Sequence, residues 1–149
     1  MMFIVVTLVA DRPSARRDAN AGIATFSTPT MVHLTSAFII STIMSAPWPA
    51  RFEPGAAGDV VAVAGIVYAL YVIRRARDLQ AYHAGVDDWV WYFIMPLVAY
   101  VLLFVSTLSL AAWPVAPFLV GTATVGLICI GIHNAWDVVT YLAMSDRDE

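Results

Sequence analysis

Charge is what this sequence has least of. Of its 149 residues, 13% are Asp, Glu, Lys or Arg, about half the share found in soluble domains. So few charges do not cover a water-facing globule of this length, which excludes an ordinary soluble enzyme domain. Together with 60% hydrophobic residues, the shortage also excludes a disordered chain. The net charge of −3 excludes a basic nucleic-acid binder. There is one cysteine, Cys129, so an intrachain disulfide and a CxxC redox or zinc motif are ruled out. It lies in an apolar run and reads as a small buried hydrophobe. Lysine is absent, and all eight cationic residues are arginine. Also missing are GxSxG, HExxH, a Walker loop and GxGxxG, any solenoid repeat and any inverted repeat between the halves.

Long apolar runs are what the chain does have. Charge-free stretches cover 19–50, 60–73 and 89–136, and a membrane-spanning helix takes about 20 apolar residues. The first stretch holds one span at 26–46. Ser27-Thr28-Pro29 reads as its start, a hydroxyl cap with proline at the first helical position, and Ser45-Ala46-Pro47-Trp48-Pro49 as its stop. The second span, 56–73, reaches full length only by taking in Ala56 to Asp59, which leaves Asp59 at the interface. The third stretch is too long for one helix and breaks at Trp113-Pro114-Val115-Ala116-Pro117, a tight hairpin. It gives spans at 89–110, capped by Asp87-Asp88, and 118–143. The expected fold is therefore an all-α integral membrane four-helix bundle.

In domain terms, 1–24 is an apolar stub with a basic linker, 25–144 the transmembrane domain and 145–149 an acidic tail. Met1 to Ala10 is too short to span. It either lies in the interface or is the end of a longer helix whose beginning the chain lacks. Trp48, Trp89, Trp91 and Trp113 fall near helix ends, as an interfacial aromatic belt requires, while Trp136 lies about two turns inside the last span.

Arginine placement gives the orientation. Arg12, Arg16, Arg17, Arg74, Arg75, Arg77 and Arg147 share one side of this topology, and Arg51 alone lies on the other. Both termini are thus expected in the cytoplasm. The 74–88 connection should extend the second helix for a few turns, until Gly85 ends it. Arg74, Arg75 and Arg77 are candidates to grip anionic lipid headgroups, beside their plainer role as a topology signal.

Ionisable residues inside a span are costly and are functional candidates. His133 and Asp137 stand i and i+4 in Gly131-Ile132-His133-Asn134-Ala135-Trp136-Asp137, close enough to pair. Thr122, Gly126, Cys129, His133, Asp137 and Thr140 share one helical face. On the first span, Thr30, His33, Ala37 and Ser41 form a small or polar face, with His33 at the depth of His133. These spacings suggest that the first and last helices meet through His33, His133, Asn134 and Asp137, as structural glue or as a proton, ion or ligand site. No metal is expected, because His83 is a loop residue and a third ligand is lacking. No cofactor is expected either, although two helix-borne histidines are in principle axial haem ligands. The serines and threonines of the first helix should bond their own backbone. Pro96 should remove one backbone bond and kink the third helix. Gly58, Ala62, Gly65 and Ala69, with Thr122 and Gly126 on the last helix, permit close helix approach.

The segments Phe26-Ser27-Thr28-Pro29-Thr30 with His33 and Ser45-Ala46-Pro47-Trp48, and Gly131-Ile132-His133-Asn134-Ala135-Trp136-Asp137, resemble a group of small uncharacterised bacterial integral membrane proteins. The resemblance covers most of the chain from Thr25 onward. It implies a bacterial inner membrane and brings no activity with it. The resulting expectation is a non-enzymatic helical bundle in the lipid bilayer, in some settings a homo-oligomer, with a His/Asp cluster between its outermost helices. The alternative is a subunit of an oligomeric channel or transporter for protons, ions or a small solute.

Overall fold

The computed structural model describes residues 16–50, 52–78 and 89–145, and these are all-helical. The helices are α1 (Arg16–Ser45), α2 (Glu53–Asp78), α3 (Met95–Leu108, entered through a π-helical turn at Val90–Ile94) and α4 (Ala116–Ser145). Three segments are long and apolar enough to cross a membrane: Glu53–Arg74, Val90–Leu108 and Ala116–Asp137. The apolar part of α1, Pro29–Ser45, is shorter. The readings of Met1 to Ala10, Arg12, Arg51, His83, Gly85, Asp87-Asp88 and Arg147 lie outside the described residues.

The helix boundaries correct two expectations. Helix α1 does not start at Ser27-Thr28-Pro29; it begins at Arg16 and carries Pro29 in its interior. A proline deletes one backbone donor, and a helix packed against neighbours tolerates that loss in a membrane. Around Pro96 the chain makes no simple kinked α-helix. The turn before it widens, with the Met95 N–H bonded to the Val90 carbonyl, and Pro96 then stands at the start of α3, where its missing N–H costs least. The hairpin does fall where the prolines put it. The Trp113 N–H bonds the Ser109 carbonyl at 2.9 Å and the Ala116 N–H the Trp113 carbonyl at 3.1 Å.

Close contacts fix the register. A methyl group on Gly58 would strike Thr107 and come within 3.8 Å of Ile40, and one on Gly65 would strike the ring of Tyr100. Seven residues separate each pair of levels on α2 and α3, so the two helices run antiparallel. Gly58, Ala62, Gly65 and Ala69 form the buried stripe of α2, and these small residues let α3 approach its backbone. Helix α4 packs on α1 at Gly131, where an added Cβ would lie 2.8 Å from Leu34 and 3.5 Å from the Thr30 carbonyl. The bundle thus has a terminal end, where α1 begins and α4 finishes, and a loop end holding 46–50 and 109–115. Between them lies an apolar core that includes Ile40, Ala62, Leu103 and Leu127.

The outward surface is as apolar as the core. Phe38, Val60 and Phe118 are each at least 70% exposed, which water would penalise and lipid does not. Cys129, expected to be buried, is exposed on this surface, an environment that is still apolar if the surrounding medium is lipid. Within one copy, the packing face of α4 is not the face that carries Thr122 and Gly126. Thr122 is exposed and Gly126 has open space beside it, while Val120, Ala123, Leu127, Ile130 and Asn134 form the buried stripe.

Candidate functional site

Polar groups gather at two depths inside the bundle. Near the loop end, the Thr107 hydroxyl donates to Asp59 Oδ1 at 2.6 Å. This ties α3 to α2 and gives the half-buried Asp59 a partner. Near the terminal end lies a larger group, built from three helices.

His33 is its centre. Its position on α1 puts it on the inward face with Thr30, Ser36 and Ala37, all buried. The Tyr100 hydroxyl donates to Ser36 Oγ at 3.1 Å, and His33 Nδ1 lies 3.1 Å from the same phenol oxygen. A phenol has one proton to give. Where the phenol gives that proton to Ser36, Nδ1 carries the hydrogen and donates to Tyr100, and His33 Nε2 is then an acceptor. Tyr100 is fully buried; its ring fits only because α2 offers Gly65 opposite it.

Helix α4 contributes Asn134, 0% exposed, whose backbone carbonyl lies 3.5 Å from the Tyr92 hydroxyl. His133 and Asp137 pair as their spacing requires, with Nε2 3.2 Å from Oδ2, and both remain partly exposed. The imidazole of His133 stacks on Trp91, centroids 3.9 Å apart at 24°. Trp91, read from sequence as a belt residue, is therefore a packing partner presented by the π turn.

The four expected site residues thus divide. His133 and Asp137 come together on the flank of α4. His33 hydrogen-bonds to Tyr100 and Ser36 rather than to that pair, and Asn134 enters the core. The two imidazoles are held by different partners. Tyr100 escaped the sequence reading because helix α3 is apolar around its circumference, so no periodicity marks its inner face; its phenol was the only available signal. Ser41, Thr42 and Ser45 bond backbone carbonyls four residues earlier, as expected, whereas Ser36 is taken by Tyr100. Arg74 is exposed at the terminal end of α2, and Arg75 and Arg77 follow it in the same helix. Comparison with protein-family models, with curated proteins and with solved structures finds no match.

Proposed function

We propose that this protein is a non-enzymatic four-helix protein of the bacterial inner membrane, with both termini in the cytoplasm, whose intramembrane polar groups fix how its helices pack. The observation that carries this reading is the buried Ser36–Tyr100–His33 chain joining α1 to α3. In lipid, apolar side chains give helices little reason to prefer one another, so hydrogen bonds and small-residue contacts select the arrangement. The bias of seven arginines to one supports the orientation, and places Arg74, Arg75 and Arg77 among cytoplasmic-leaflet headgroups.

Two measurements test it. Reporter fusions at either end should be active only as cytoplasmic reporters; a periplasmic signal from either overturns the orientation. Tyr100→Phe should destabilise the detergent-solubilised protein by about 1–2 kcal/mol, since it orphans His33 Nδ1 and Ser36. Unchanged stability would remove the packing role.

The alternative, a subunit of an oligomeric channel or transporter, draws on the exposed Thr122 and Cys129 beside partly exposed His133 and Asp137 on α4. An apolar core divides the two polar depths within one chain, so the path would have to form between copies. Proteoliposome flux abolished by Asp137→Asn would favour this reading.

A further inference from the structure

The polar layer at the terminal end leaves two buried side chains incompletely used. His33 Nε2 and both Asn134 amide atoms, Nδ2 and Oδ1, have no hydrogen-bond partner among the described residues. His33 is 2% exposed and Asn134 0%, so bulk solvent does not reach either.

We propose that His33 Nε2 and the Asn134 carboxamide form a binding site for one small uncharged hydrogen-bonding molecule, filled by water in the resting protein, between α1, α3 and α4. The register brings the two side chains to neighbouring levels of the seam between α1 and α4. Gly131 sits against Thr30 and Leu34, so Asn134 lies roughly 6 Å nearer the terminal end than His33 along the bundle, at 1.5 Å per residue. Helical side chains lean toward the amino end of their own helix. Because α1 and α4 are antiparallel, His33 leans toward the terminal end and Asn134 toward the loop end. They lean toward each other and stop short of bonding.

The chemistry selects the guest. In the tautomer whose Nδ1 donates to Tyr100, His33 Nε2 is an acceptor. The carboxamide offers an acceptor and two donors. A water molecule matches this set: one O–H to Nε2, the other to Oδ1, and its oxygen accepting from Nδ2. Buried water typically makes about three such bonds. Asn134 is uncharged, and the described partners of His33, Tyr100 and Ser36, are neutral hydroxyls. The neighbouring acid, Asp137, is paired with His133 on the flank. Neither a cation nor an anion therefore finds a counter-charge, and small alcohols or amides are the other members of the class that fits. Ile40, Leu103 and Leu127 belong to the apolar core on the loop side of the site.

The site rests on the membrane-bundle reading above, and its test is separable from that of the packing role. The protein, labelled with ¹⁵N-histidine and reconstituted in liposomes, is examined by water-edited solid-state NMR, with His33→Gln identifying the His33 signals. An unprotonated Nε2 with a water-proton cross-peak is expected. The cross-peak should vanish in Asn134→Leu while the protonated Nδ1 signal persists. A protonated Nε2, or no water contact in the wild-type protein, overturns the proposal. If Asn134→Leu does not fold, Asn134→Gln should shift the Nε2 resonance, and an unmoved resonance counts against the site. In a thermal double-mutant cycle, His33→Phe with Asn134→Leu should lose less Tm than the two single losses summed, because the guest couples them; strict additivity overturns it. A Tyr100→Phe variant as stable as wild type would reject the packing role alone and leave the Asn134-dependent cross-peak to decide the site.

Discussion

Tyr100 is the side chain on which three helices converge, since its ring covers Gly65 of α2 and its hydroxyl binds two residues of α1. Gly65→Ala should therefore destabilise the bundle by about 1–3 kcal/mol, because the added methyl meets a ring with no room to retreat. Gly121→Ala, with nothing near its added methyl, should stay within about 0.5 kcal/mol of wild type. Chemical denaturation in one detergent compares the two. The same logic ranks the histidines. His133→Ala breaks a partly exposed pair and should cost at most about 1 kcal/mol, less than the loss expected of Tyr100→Phe; the reverse order would relocate the stabilising contact to α4. The i,i+4 spacing of His133 and Asp137 could be read from sequence because it depends on one helix. The partner of His33 could not, because it depends on how two helices rotate against each other, and α3 presents apolar side chains in every direction.

At the scale of elements, composition marks where helices stop better than where they begin. The hairpin at Trp113 to Pro117 was legible because two prolines and a charge-free flank leave the chain few options. Pro29 misled: a cap-like Ser27-Thr28-Pro29 is a start signal in water, yet α1 passes through it, supported by α4. Pro96 was legible as a local disturbance read as a kink, but its form, a π turn, goes with tertiary contacts that hold Trp91 on His133 and Tyr92 near Asn134. Pro96→Ala restores a donor for the Tyr92 carbonyl. The expected outcome is relaxation of Val90–Ile94 to α-helix, turning the residues before it by about 100° and moving Trp91 off His133. In a variant retaining Trp91 as its sole tryptophan, fluorescence quenching by His133 should then fall; unchanged quenching would show that the side-chain contacts alone maintain the turn.

For the molecule as a whole, the unresolved choice between a packed bundle and an assembled pore reduces to what Cys129 touches. Its thiol is exposed on α4, roughly 12 Å along the helix from Asp137 at 1.5 Å per residue. Because it is the sole cysteine, a nitroxide attaches there without further engineering. In liposomes the label should be accessible to oxygen and shielded from a water-soluble nickel chelate. The opposite pattern would put the flank of α4 along an aqueous path. The dry core between the two polar depths has a consequence for the membrane itself. Between Tyr100 and Thr107 an ion would have to cross about 10 Å of close-packed hydrocarbon, against an idealised desolvation barrier of order 20 kcal/mol. A single copy can thus hold histidine, asparagine and aspartate within the bundle and still offer ions no path along its own core.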